Sequence, residues 1–208
     1  MKGKFITFEG SEGCGKSTQS RLLYEYLKRK GYRVIYVREP GGTKISEKIR
    51  KILLDPKNLK MSGACETLLY MAARAQIVTE VIRPALKNGK IVISDRFLDS
   101  TVVYQGYGLG MNIKTIKNIG EFATSGIKPD LTIFLDLAAQ KGLERCGRVK
   151  DRIELRPLSY HQRVRNGYLK LAHLEPKRIR IIKVDKTKNK TQRKIRELAD
   201  RFLCRLKI

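Results

Sequence analysis

One stretch constrains this chain more than any other: Phe5-Ile6-Thr7-Phe8-Glu9-Gly10-Ser11-Glu12-Gly13-Cys14-Gly15-Lys16-Ser17-Thr18, where an apolar run breaks into glycines and then into Lys-Ser-Thr. Gly10 to Ser17 follows the pattern G-x-x-x-x-G-K-[ST], a phosphate-binding P-loop. The glycines let the backbone turn sharply and aim successive N–H groups inward, so that amides and a helix N-terminus surround an anion. Lys16 is placed to reach the outer phosphates of a nucleotide, and the Ser17 hydroxyl to ligate Mg²⁺. The setting agrees with this reading. A β-rich run, Lys4 to Phe8, precedes the loop, and an amphipathic segment, Ser17 to Lys30, follows it. Gly10, Ser11, Glu12, Gly13, Cys14, Gly15, Lys16, Ser17 and Thr18 are therefore the candidate nucleotide-binding residues.

Strand and helix signals alternate through the rest of the chain. Leu22, Leu23, Tyr26 and Leu27 give the first helix its buried stripe, which stops at Gly31. Arg33 to Val37 reads as a strand that ends in the loop Arg38-Glu39-Pro40-Gly41-Gly42, and Thr43 caps a helix over Lys44 to Leu54. A long helix is predicted from Ala64 to Lys87, with Leu68, Leu69, Met71, Ala72, Ala75 and Ile77 inward and Pro84 and Gly89 marking its end. Lys90 to Ser94 is a third strand, with Asp95-Arg96 at its carboxyl end, where open α/β sheets place their chemistry. Gly106, Gly108 and Gly110 predict a loop. Helices are expected over Ile113–Thr124, Ala138–Cys146, Tyr160–Leu174 and Lys188–Leu206, strands over Leu131–Leu135 and Ile179–Val184, and an arginine-rich loop over Gly147–Pro157. Such alternation means a parallel sheet covered on both faces. The expected fold is α/β, of the three-layer P-loop NTPase type, with a five-stranded parallel sheet and helices on both sides. The loops after Phe8, Val37, Ser94 and Leu135 then converge on one rim.

Bulk properties narrow the class. With 208 residues and 41% hydrophobic content, the chain suits one domain spanning 1–208. No apolar run approaches the roughly 20 residues of a spanning helix, and Glu9 interrupts the one candidate signal-peptide core, so a cytoplasmic location without membrane contact is expected. Cys14, Cys65, Cys146 and Cys204 form no C-x-x-C pair and indicate neither zinc nor disulfides; Cys14 reads as an incidental small loop residue. The net charge of +25 invites a nucleic-acid partner, and roughly 22 Lys and Arg against 7 acidic residues fall after position 140. Those cations lack interleaved aromatics and no nucleic-acid module is recognisable, so a solvated basic face with a few phosphate-binding arginines is the preferred reading. A basic P-loop protein that binds nucleic acid without kinase activity is the competing class.

Several motifs in order carry a family resemblance. The P-loop, Arg38-Glu39-Pro40-Gly41-Gly42-Thr43, Ala72-Ala73-Arg74-Ala75-Gln76, Asp95-Arg96-Phe97, Ser100 through Tyr104-Gln105-Gly106, and Asp151-Arg152-Ile153-Glu154 stand as they do in bacterial thymidylate kinases, which the chain resembles from end to end. The resemblance implies transfer of the γ-phosphoryl of ATP to dTMP, with Mg²⁺, by a homodimeric enzyme. It implies that Arg38, Arg50 and Arg96 hold the acceptor phosphate and that Glu12 meets the sugar 3′-hydroxyl. Tyr70 would stack on thymine, Arg74 would donate to a ring carbonyl, and Ser100 and Thr101 would face the base edge. Tyr104 would block a ribose 2′-hydroxyl, with Gln105 a further polar group near the base. Asp95 with Ser17 is the implied metal pair, and Lys16, Arg96 and Asp95 belong to the catalytic set. Two departures stand out. Leu109 replaces the family's usual Arg, and the lid, about residues 147–157, is about two residues shorter than usual. Its catalytic arginine is thus open among Arg145, Arg148 and Arg152. Arg148 is the choice, because Arg145 belongs to the preceding helix and Arg152 has Asp151 and Glu154 close by as salt-bridge partners.

Overall fold

The computed structural model describes residues 3–147 and 151–204. The β-branched and aromatic runs form strands β1 (Lys4–Glu9), β2 (Val34–Arg38), β3 (Ile91–Asp95), β4 (Leu131–Asp136) and β5 (Ile179–Lys183). All pair in parallel, in the order β2-β3-β1-β4-β5. The order reverses at β1, whose neighbours on its two sides are β3 and β4. Phe8 lies beside Asp95 and Glu9 beside Phe134, so the P-loop springs from the crevice at the switch point.

Alternation along the strands divides the core. Ile6, Phe8, Ile93, Ile133 and Leu135 face α1 (Lys16–Arg29) and α9 (Lys188–Cys204), which contribute Leu23, Leu27, Ile195 and Ala199. On the opposite face Phe5 and Val92 pack with Ile77, Val78, Ile82 and Phe97. Phe134 packs there with Val103, Val164, Tyr168 and Leu171. Cover on both faces is why the central strands read as nearly continuous apolar runs.

α2 (Lys44–Leu54) starts as expected, with the Thr43 hydroxyl accepting from the Ser46 amide at 3.1 Å. The long helix reaches Lys87 as expected, but not as one regular helix: a π-helical turn, Val78–Ile82, joins α3 (Gly63–Ile77) to α4 (Arg83–Lys87), which carries Pro84 in its first turn. The stripe of α3 is also rotated: Leu68 is 55% exposed and Ala72 exposed, while Glu66, Thr67, Met71, Ala73 and Arg74 face inward. The helix looks onto a polar cleft, and apolar periodicity misjudged its inner face.

The predicted glycine loop is helical as well. α5 (Leu98–Thr101) continues as a π-helical segment, Val102–Gly108, buried under α8 (Leu158–Leu174). Glycine serves close approach here, since a Cβ on Gly108 would lie 2.6 Å from the Tyr160 ring. α6 (Ile113–Thr124) packs on α3, and α7 (Ala139–Glu144) is shorter than predicted. Among the described residues, no helix is long and apolar enough to cross a membrane.

Candidate active site

Gly13 (φ 65°) and Gly15 (φ 91°) take left-handed backbone, and Gly15 precedes the first turn of α1. Lys16, at the head of α1, is buried; its ammonium donates to the Ser11 carbonyl at 2.8 Å and approaches Cys14 Sγ at 3.7 Å. Cys14 is therefore not incidental. It is buried in the core beneath the loop. Ser17 Oγ donates to Asp95 Oδ2 at 2.5 Å, which brings the implied metal pair together. A hydroxyl and a carboxylate are the hard oxygen donors Mg²⁺ prefers. No group of three or more His, Cys, Asp or Glu able to hold a metal occurs among the described residues, so an ion here would take its remaining ligands from phosphate and water.

A cleft of about 500 Å³ opens at the carboxyl ends of the strands. Of the P-loop, Glu12, Gly13, Gly15, Lys16, Ser17 and Thr18 line it, whereas Gly10, Ser11 and Cys14 lie behind. Arg38, Arg50, Tyr70, Arg74, Asp95, Arg96, Ser100, Thr101, Tyr104 and Gln105 all line it too, although they come from β2, α2, α3, the end of β3, α5 and the π-helical segment.

Arg96 is the hub of this arrangement. Its φ of 74° is unusual for a residue with a Cβ, and the neighbouring bonds hold it there. Its N–H donates to Phe8 O (2.9 Å), its carbonyl accepts from Ser94 Oγ (2.6 Å), and the Phe97 amide donates to Glu9 Oε1 (2.8 Å). The guanidinium donates to Glu12 at 2.8 Å, and to Gly10 O and Ser100 Oγ at 3.1 Å each. Glu12 also accepts from the Tyr104 hydroxyl at 2.6 Å. Burial alone would raise the Glu12 carboxyl; the charges of Arg96 and Lys16 and the Tyr104 bond outweigh it and bring the pKa down to about 2. A carboxylate beside a phosphate site thus stays ionised because its donors are built in.

Glu9 shows in the sequence only as a charge interrupting an apolar run, and that oddity is the signal of its role. It is fully buried, and its Oε2 accepts from Ser100 Oγ (2.6 Å) and the Tyr168 hydroxyl (2.8 Å). Burial and the nearby Asp99 charge push its pKa up to about 7, against the opposing pull of Ser100, Arg96 and Tyr168.

Arg74 is a core residue, neither free in the cleft nor on the surface. It is 2% exposed and donates to Glu39 Oε2 (2.8 Å), Thr101 Oγ1 (2.9 Å) and Phe97 O (3.0 Å). Arg38 instead pairs with Glu47, both side chains more than a third exposed, an arrangement worth little and easily exchanged for a phosphate. Arg50 donates to the Pro40 carbonyl at 2.8 Å.

The lid region corrects one expectation. Arg152 pairs with neither Asp151 nor Glu154: it is buried, donates to Leu53 O at 2.8 Å, and meets Glu66 at 2.5 Å, away from the cleft lining. Its neighbours Asp151, Ile153 and Glu154 line the cleft. Arg145 lines the cleft. Arg148 lies outside the described residues. Leu109, standing where the family carries Arg, is 37% exposed. Gly142 belongs to α7 and abuts the P-loop at Glu12 and Gly13.

A P-loop on a parallel sheet with this strand order, opening into a cleft lined with arginines, defines a P-loop phosphotransferase of the nucleoside monophosphate kinase type. Residues 8–195 match the family model described as Thymidylate kinase. The chain is 51% identical over 179 residues to the thymidylate kinase of Thermoanaerobacter sp. (strain X514), covering 86% of this chain and 88% of that one. It is 48% identical over 202 residues to that of Symbiobacterium thermophilum, covering 97% and 94%. The crystal structure of thymidylate kinase from Ehrlichia chaffeensis superposes with a TM-score of 0.80 at 32% identity, covering 96% of this chain and 100% of that one. The chain belongs to the thymidylate kinase family.

Proposed function

We propose that the chain transfers the γ-phosphoryl group of ATP to dTMP, giving dTDP and ADP, and that residues 1–208 act as one domain with a lid at about 147–157. One observation carries this reading: a single cleft joins the P-loop to Arg38, Arg50 and Arg96 and also to Tyr70, Arg74 and Gln105. Phosphoryl transfer between two polyanions asks for alignment and positive charge more than for covalent chemistry. Lys16 would hold the outer phosphates of ATP with the loop amides. Arg96 keeps its Nε–H and one Nη2–H without protein partners among the described residues, and these would fork onto the dTMP phosphate. Arg38 and Arg50 would complete that grip, and Glu12 would meet the 3′-hydroxyl. Ser17 and Asp95 would hold Mg²⁺, which when bound supplies charge neutralisation between the phosphates.

Tyr70 would lie against the thymine face, with Arg74, Ser100, Thr101 and Gln105 at its edge. The Tyr104 ring, fixed by its bond to Glu12, would exclude a 2′-hydroxyl. Arg148 is the proposed finger from the lid, an effect worth roughly 10³ to 10⁵ in rate. A homodimer is supported by apolar side chains left outward on helices that pack together, Ile45 and Ile52 on α2, Leu68 on α3 and Phe122 (85% exposed) on α6. Turnover of ATP would place the enzyme in the cytosol.

The test is Mg·ATP turnover against dTMP, dUMP, UMP, dCMP, AMP and GMP. dTMP should lead, dUMP should follow, and UMP should trail. Preference for a purine nucleotide, or DNA binding without turnover, would refute the reading. Among Arg145→Ala, Arg148→Ala and Arg152→Ala, only the finger should lose mainly kcat with KM for dTMP kept.

A further inference from the structure

We propose that Glu66 decides which end of the Gln105 amide faces the base, and that the cleft thereby selects a pyrimidine that carries a hydrogen on N3. The inference rests on the dTMP reading above and assigns its specificity to a residue that lies behind the cleft wall.

Glu66 is completely buried on α3, one and two steps of four residues before Tyr70 and Arg74, so all three lie on one helix face. Its Oε1 accepts from Gln105 Nε2 at 2.7 Å. Its Oε2 accepts from Arg156 at 2.6 Å and meets Arg152 Nη1 at 2.5 Å. Two guanidinium groups thus donate to this one carboxylate, and a carboxylate so placed can only accept. Gln105, 1% exposed, therefore has to point its nitrogen at Glu66. The reverse orientation would set a carbonyl oxygen against a carboxylate oxygen at the same spacing and give up a charge-assisted bond.

Gln105 Oε1 is left without a protein donor among the described residues, on a side chain that lines the cleft. It is an acceptor. Thymine and uracil present a donor at N3, flanked by two carbonyls, whereas cytosine presents an acceptor at N3. A buried site rejects an analogue that leaves one of its polar groups unpaired, and two acceptors facing each other are worse. The Glu66 cluster is itself rigidly held: Arg152 donates to Leu53 O, and Arg156 lies over the Tyr160 ring at 4.5 Å. Its members come from α3, from the π-helical segment Val102–Gly108 that carries Gln105, and from the return of the lid, which brings Arg152 and Arg156.

The test is Glu66→Gln, assayed with dTMP and dCMP. A glutamine at 66 can donate as well as accept, so Gln105 becomes free to turn over. The ratio of kcat/KM for dTMP to that for dCMP should fall about tenfold, mainly through a lower KM for dCMP; a merely structural role would lower both nucleotides alike and leave the ratio unchanged, which would overturn the proposal. Should the variant not fold, NMR on the wild-type enzyme with labelled dTMP decides. A coupling across the hydrogen bond from thymine N3 to the Gln105 side-chain carbonyl carbon supports the lock, and an N3–H paired with any acceptor other than Gln105 Oε1 overturns it. Wild-type enzyme inactive on dTMP would instead overturn the function proposed above.

Discussion

Gly142→Ala tests whether the P-loop is held in place from outside. A Cβ at this position of α7 would overlap the Glu12 carbonyl oxygen, and one on Gly13 would overlap the Gly142 carbonyl. Both obstacles are backbone, so no side chain can swing aside. Restoring an ordinary 3.4 Å contact requires the loop and α7 to part by about 1 Å. Overpacking of this kind costs about 1 to 3 kcal/mol of stability, and each kcal/mol lowers Tm by roughly 2 to 4 °C in a chain of this size. Misplacing reacting groups by about 1 Å costs about 10² in rate, or about 2.7 kcal/mol of barrier. Steady-state turnover of Mg·ATP and dTMP should thus show kcat about a hundredfold lower, with a Tm drop of several degrees. Gly147→Ala is the steric control, since a Cβ there meets nothing within 4 Å, and its Tm should match the wild type. A Gly142→Ala enzyme with wild-type kcat and Tm would refute the reasoning.

Lys16→Ala should lower kcat by about 10² or more while the circular dichroism spectrum stays native, and near-normal turnover would remove Lys16 from catalysis. Arg74→Met breaks a buried ion pair whose two side chains are each 2% exposed, so about 3 to 5 kcal/mol should be lost in urea unfolding, partly restored by adding Glu39→Met. Two carboxyls give stability opposite pH trends. Glu9, raised to about 7, holds a proton in the folded state that the unfolded chain releases near 4.5, so its contribution is full below that value and fades as pH rises through 7. Glu12, lowered to about 2, contributes above 4.5 and loses that contribution as pH falls towards 2. Denaturant titrations should show Glu9→Gln gaining on the wild type between about pH 5 and 7.5; parallel profiles would contradict this assignment.

Much of this was legible in the sequence because it is local. A P-loop declares itself through glycines at fixed spacing, and strand runs through β-branched residues, so the sheet and its rim followed from these local signals, whereas cleft residues such as Arg38, Tyr70 and Tyr104 were reached only through the family resemblance that the motifs carry. Thr43 caps its helix as predicted because a cap depends on neighbours three residues away. What failed depended on partners distant in the chain. Apolar periodicity pointed Leu68 inward, but α3 turns Glu66 and Arg74 to the interior because their counter-charges, Arg152, Arg156 and Glu39, arrive from other elements. Arg152 looked paired with its sequence neighbours and is paired with Glu66, far back on α3. Gly106 and Gly108 read as loop residues, whereas Ile113 crowds the first and Tyr160 and Val164 of α8 press on the second, which makes small size the requirement. A buried charge is tolerable only beside its partner, and a missing Cβ matters only where something else fills the space; both conditions are set by the tertiary structure.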